Sequence, residues 1–209
     1  MVKKIGIVLI LLVIILSFCN VKVLGKTNHF KAFITQELYN EESSLPRQTV
    51  ERMVDFMEAL EWVNYSGTGT YSVATQEADV RSYINMSSNN YGFVLAAHTD
   101  ENYILCINDD ENLYPSEISG NWHLVLLNSC SAMANDSYAR AFKTVGYTHR
   151  AAIGFTTPIG FFSGYHFWRY ANQVVCSTSL GNVVDYANNI VGCDGIIYGD
   201  SSWNGYAWH

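Results

Sequence analysis

Two apolar runs that stop abruptly at polar residues constrain this chain more than any other feature. Tyr91 to Ala97, "YGFVLAA", is unbroken until His98, and Leu124 to Leu127, inside "WHLVLLNSC", is unbroken until Asn128, Ser129 and Cys130. A strand that is apolar at consecutive positions is buried on both faces, which is how strands of a helix-covered parallel sheet read. Ligands of such sheets bind outside the carboxyl ends of the strands, and neighbouring strands lie about 4.8 Å apart. His98 and Cys130 are therefore expected to share one sheet edge.

The remaining pattern alternates in the same way. "HFKAFIT", residues 29–35, is short, aromatic and β-branched and is predicted as a first strand. Arg47 to Val63 carries apolar residues at helical spacing. A second strand is predicted near 70–73, then a helix capped by Thr75. Tyr103 to Ile107 reads as a hairpin element and Pro115 as the opening of a short turn. Beyond the second apolar run, Asp136 to Val145 reads as a helix, "RAAIGF" as a strand, residues 160–173 and 179–190 as helices, and "GIIYG" as a last strand. Trp168, Phe161, Phe162 and Phe167 are expected to pack a helix on the sheet, and the aromatic tail from Ser201 to His209 to cover a sheet edge. This is an α/β pattern: a mostly parallel sheet with helices on both faces.

The amino terminus stands apart. Lys3 and Lys4 precede an apolar run from Ile5 to Phe18, the layout of a secretory signal, with cleavage expected after Gly25. The run is shorter than the roughly 20 residues a spanning helix needs; retained, it would be a membrane anchor. Removing residues 1–25 takes away Lys3, Lys4 and Lys22 and no acid, so the net charge of −7 becomes −10. Residues 26–209 form one domain, acidic enough to exclude a nucleic-acid footprint. A monomer is expected. No metal-ligand spacing and no cofactor motif occur. Sequons stand at Asn64, Asn85 and Asn135.

A thiol becomes a good nucleophile when an imidazole or a helix amino terminus favours its thiolate. For Cys130 the sequence offers His98 across the sheet edge and a helix beginning near Asn135. A lone cysteine is more often a buried small hydrophobe or half of a disulfide, and a lone histidine more often structural. Four cysteines follow the leader, Cys106, Cys130, Cys176 and Cys193, and they allow three pairings.

The order strand, His98, acidic hairpin, short helix, strand, Cys130 resembles the caspase and hemoglobinase superfamily, which includes caspases, metacaspases, clostripain-like and gingipain-like peptidases and CHAT domains. The matching pieces are "FVLAAHTDE" and "LVLLNSC", with 32 positions from His98 to Cys130. "AAIGFTTPIGFFSGYHFWRYAN" and "SLGNVVDYANN" look like the strand and helices that follow in the CHAT-like branch. The resemblance implies a three-layer α/β caspase-like fold, an endopeptidase acting on proteins or peptides, Cys130 as nucleophile and His98 as general acid/base. The backbone N–H groups of Cys130 and Thr99 would hold the oxyanion. Family members usually carry glycine where Thr99 stands, and a β-branched residue fits badly wherever φ > 0 is required.

By the same resemblance Asn128, two before the nucleophile, lines the specificity pocket. A neutral amide there argues against a strong preference for basic residues, with Asp100, Asp136 and Asp185 as other sources of charge. Asn128 reads equally well as a strand terminator. With Cys130 free, one consistent arrangement pairs Cys176 with Cys193 and leaves Cys106 reduced. The rival to a secreted peptidase is an inactive member of the fold, a binding or regulatory module at the cell surface. An unrelated α/β hydrolase is weaker, because "NSCSA" lacks the glycines of a nucleophile elbow.

Overall fold

The computed structural model describes residues 28–66, 69–85, 91–108 and 110–206. The leader expected over residues 1–25 lies outside the described residues. None of the described helices is long and apolar enough to cross a membrane.

The central sheet is built on β1 (His29–Thr35), β4 (Tyr91–Ala96), β8 (Trp122–Asn128) and β9 (Ala151–Phe155), all parallel. The short strands β2 (Val63–Asn64) and β3 (Ser72–Ala74) run parallel to β1 on the outer side, and β10 (Gly195–Gly199) closes the far edge antiparallel to β9. The order is β2-β1-β4-β8-β9-β10, with β3 also on β1. A separate antiparallel ribbon holds β5 (His98–Thr99), β6 (Leu105–Asn108) and β7 (Glu111–Leu113).

Helices cover both faces, which explains why the central strands are apolar without alternation. Val94, Ala96, Leu124 and Leu126 face a core shared with α2 (Leu45–Ala59), α5 (Phe161–Val174) and α6 (Leu180–Val191). Phe93, Leu95, Val125 and Leu127 face the opposite core, filled from α3 (Glu77–Ile84), α4 (Ser137–Ala141) and the ribbon. Each large apolar side chain buried this way contributes about 1.5–3 kcal/mol. The five-residue α1 (Gln36–Asn40) follows β1 directly.

Several elements end earlier than their apolar spacing predicts. α2 begins at Leu45 with Pro46 in its first turn and stops at Ala59, because Glu61 turns left-handed at φ 65° and leads into β2. α4 covers only Ser137–Ala141 of the predicted 136–145, since Lys143 (φ 55°) and Gly146 (φ 83°) unwind the chain. Thr75 is not a cap. Its N–H and hydroxyl donate to Asp79, which forms a capping box with Gln76 at the start of α3.

The described part of the tail, residues 201–206, covers the helical layer rather than a sheet edge. Trp203 is buried in the first core, its carbonyl accepts from Leu180 N, and Gly205 O accepts from the Trp62 indole at 3.0 Å. Phe167 and Trp168 pack as expected, whereas Phe162 stands 66% exposed.

All four cysteines among the described residues are reduced. Cys176 and Cys193 flank the twelve-residue α6. At 1.5 Å per residue that helix is about 18 Å long, whereas a disulfide needs Cα atoms within about 7 Å. The expected pairing is therefore not formed.

His123, on β8, has a buried Nδ1 without a hydrogen-bond partner among the described residues, and burial, helped by Arg150 and His149, pushes its pKa down to about 4. A base whose folded pKa lies below its unfolded 6.5 contributes stability above pH 6.5 and loses it as pH falls toward 4. After allowance for solvent screening the loss is about 2 kcal/mol. Thermal melts from pH 7.5 to 4.5 should show His123→Leu losing less stability with acid than the wild type.

Candidate active site

The carboxyl ends of β4 and β8 carry the two residues singled out in the sequence. Ala96 pairs with Asn128 as the last rung of that ladder, and Ala97 N donates to Asn128 O at 3.2 Å. His98 and Cys130 each stand two residues beyond the rung. They line one narrow cleft of about 30 Å³ together with Asn128, Ser129, Ile159 and Phe161. That volume holds one or two waters. A wider opening of about 470 Å³, over Gln36, Glu37, Asn40, Glu41, Glu42 and Asn108, shares no lining residue with this cleft. His98 and Cys130 are in the smaller one.

Cys130 begins a tight turn rather than a helix. Ser131 takes the left-handed conformation at φ 55°, which costs an L-residue about 1–2 kcal/mol, and such strain clusters at functional sites. The turn is pinned to the segment after β9: Ser131 N donates to Thr157 O at 3.1 Å and Met133 N to Phe155 O at 3.0 Å. α4 starts at Ser137, two residues beyond the expected start near Asn135, and no N–H of its first turn is bonded to the thiol among the described residues. The Cys130 Sγ instead receives the N–H of Ile159 and donates to its carbonyl, both at 3.4 Å. Ser129 lines the same cleft, and its hydroxyl is buried without a hydrogen-bond partner among the described residues.

Thr99 fits where it stands. It lies in β5 and its φ is outside the left-handed region, so the strain expected of a β-branched residue does not arise. Its hydroxyl donates to the Cys130 carbonyl and ties the two strand ends together. Asp100 N donates to Ile104 O at 2.9 Å, and Leu105 N donates to the Tyr138 hydroxyl at 2.9 Å. Antiparallel pairs alternate between bonded and non-bonded, so the Thr99–Leu105 pair is non-bonded and the Thr99 N–H is turned away from β6. Tyr138, its phenol pKa raised chiefly by burial, also donates to Leu113 O and so anchors the ribbon beneath the site.

Asn128 is held from the other side. Its Oδ1 accepts the Trp168 indole N–H at 3.0 Å, where α5 approaches at Gly164. The amide that lines the cleft is thus also a clamp between sheet and helix. The acids considered as other charge sources do not line the cleft. The Asp100 carboxylate accepts the N–H groups of Asn102 and Ile104 at 2.8 Å, and Asp136 pairs with Arg140 at 2.6 Å.

Three contributors escaped the sequence reading. Ile159 contacts the thiol through its backbone, which no side-chain pattern signals. Phe161 stands with its ring centroid 6.2 Å from that of His98, and its place at the start of a helix after β9 was the available sign. Glu37, on α1, has Oε1 3.8 Å from His98 Nε2.

No family model matches the sequence, and no curated protein does. Solved structures match over most of the chain. Caspase-1 from Spodoptera frugiperda superposes with a TM-score of 0.57 at 8% identity, covering 87% of this chain and 90% of that one. The Drosophila initiator caspase Dronc superposes with a TM-score of 0.53 at 9% identity, covering 87% and 85%. The chain therefore has a caspase-like fold, a mixed α/β architecture with a mostly parallel central sheet.

Proposed function

We propose, with the caspase-like fold as premise, that this protein is a cysteine endopeptidase exported by residues 1–25 and acting on protein or peptide substrates. The observation that carries the reading is the shared rung: His98 and Cys130 follow the Ala96–Asn128 pair by the same two steps on neighbouring parallel strands. In the reaction, the Cys130 proton passes to His98 and the thiolate attacks the scissile carbonyl carbon. The oxyanion is stabilised by the N–H groups of Cys130 and Thr99. His98 then protonates the leaving amine, and a water, deprotonated by His98, hydrolyses the thioester.

A second reading has its own support. The thiol is occupied by Ile159 and the cleft admits only water, as in a scaffold that binds without turnover. For catalysis, Sγ must rotate from Ile159 toward His98 and the side chains of Ile159 and Phe161 must part.

Thiol chemistry separates the two readings. Burial pushes the thiols of Cys106 and Cys193 up, which makes them slow internal references. In the peptidase, iodoacetamide labels Cys130 at pH 6.5 about tenfold faster than these references, and His98→Ala removes most of that advantage. Mass spectrometry of the labelled peptides reads the result, and Cys130→Ala is the blank. Labelling of Cys130 that is slow, or indifferent to His98, would establish the binding module.

A further inference from the structure

We infer that Glu37 is the positioning residue of His98, so that acid, imidazole and thiol form one row across the sheet edge; this rests on His98 and Cys130 acting as proposed above. Three neighbouring strands deliver the row. Ile34 of β1 pairs with Ala96 of β4, and Ala96 pairs with Asn128 of β8, so one rung runs through all three. Glu37 stands three residues past that rung, and His98 and Cys130 two. The imidazole is the middle member, with a carboxylate on the β1 side and the thiol on the β8 side.

The contact assigns the ring nitrogens. Glu37 Oε1 lies 3.8 Å from His98 Nε2, slightly beyond hydrogen-bond range, as is common before substrate tightens a site. A carboxylate facing Nε2 keeps the proton on that nitrogen and leaves Nδ1 as the one to take the thiol proton. After transfer both nitrogens carry protons, and Glu37 faces an imidazolium whose charge it stabilises without itself taking a proton. Asp100 is engaged in its own turn, where its Oδ1 accepts two backbone N–H groups, and among the described residues the carboxylate within ion-pair distance of His98 is that of Glu37. Phe161 bounds the ring elsewhere and supplies no charge. The Glu37 side chain is 48% exposed, so replacing it opens no cavity in the core.

The test is the pH profile of Cys130 alkylation by iodoacetamide in the full chain, for wild type, Glu37→Gln, Glu37→Asp and His98→Ala. Two unit charges about 4 Å apart, screened as in bulk water and as exposed pairs are, support an effect of about fivefold. Glu37→Gln is therefore expected to move the acid limb to higher pH and slow labelling about fivefold at pH 6.5, while the rate above pH 9.5, where the thiol ionises unaided, is unchanged. Glu37→Asp should recover most of the wild-type profile. A Glu37→Gln profile that superposes on wild type while His98→Ala is displaced would overturn the role of Glu37 and leave the peptidase reading intact. Uniform slowing at every pH would mark a merely structural residue and equally overturn it. If His98→Ala also superposes on wild type, both readings fail together.

Discussion

Replacing Gly199 with alanine is expected to lower the melting temperature by about 10 °C. Gly199 ends β10 at φ 107°, and a Cβ there would meet the Arg150 carbonyl oxygen at 2.2 Å and that of Thr144 at 2.8 Å. Both obstacles are backbone, so no rotamer change relieves them. The conformation alone costs an L-residue about 1–2 kcal/mol, and the overlap forces β10 off β9. A total of about 3 kcal/mol corresponds to about 10 °C for a chain of this size. Circular dichroism melts of the variant and wild type read the difference. A shift below about 3 °C would mean that the strand end yields without cost, and that the β9–β10 edge is softer than its ladder implies.

Gly154→Ala should act on the site through packing. On β9, the new methyl would fall 2.6 Å from Met133 Cγ and 3.1 Å from the Leu127 carbonyl. Met133 is fully buried in the turn that starts at Cys130, and its N–H is fixed to Phe155. Overpacking of this kind costs about 1–3 kcal/mol. Displacing a reacting group by about 1 Å can reduce its rate by up to a hundredfold. The expected result is a stable protein in which Cys130 alkylation at pH 6.5 falls about tenfold. Adding Met133→Ala makes room for the methyl, and the double variant should recover labelling beyond what the single effects predict. Labelling unchanged in Gly154→Ala would show that the turn is positioned by its hydrogen bonds alone.

The parts of the fold that were legible are those where burial overrides local detail. β4 and β8 read correctly because each of their residues faces one of two cores, so apolarity is continuous and stops where the chain leaves the sheet. The helix ends were not legible. Glu61, Lys143 and Ser131 adopt positive φ without being glycine, a conformation that their residue types do not announce. Asn128 illustrates a divided outcome, since it both lines the cleft and clamps Trp168. His98 and Cys130 could be juxtaposed from the sequence because each ends a strand. Glu37 could not, because it follows β1 on a one-turn helix, and only the strand order β1-β4-β8 makes it a neighbour of His98. Nor does the count of cysteines reveal pairing: with Cys130 free, three remain, and the arrangement that joins Cys176 to Cys193 is not formed, because α6 lies between them.

The rung that aligns Glu37, His98 and Cys130 also determines when reactivity can appear. The three residues lie 61 and 32 positions apart in the sequence, and nothing local brings any two of them together. Parallel pairings of this kind form late, because long loops must close before their contacts contribute. A chain emerging from the ribosome carries a thiol with no base beside it. Hydrolytic power, on the proposed reading, is thus a property of the finished sheet alone, and topology protects neighbouring nascent chains without a separate inhibitor.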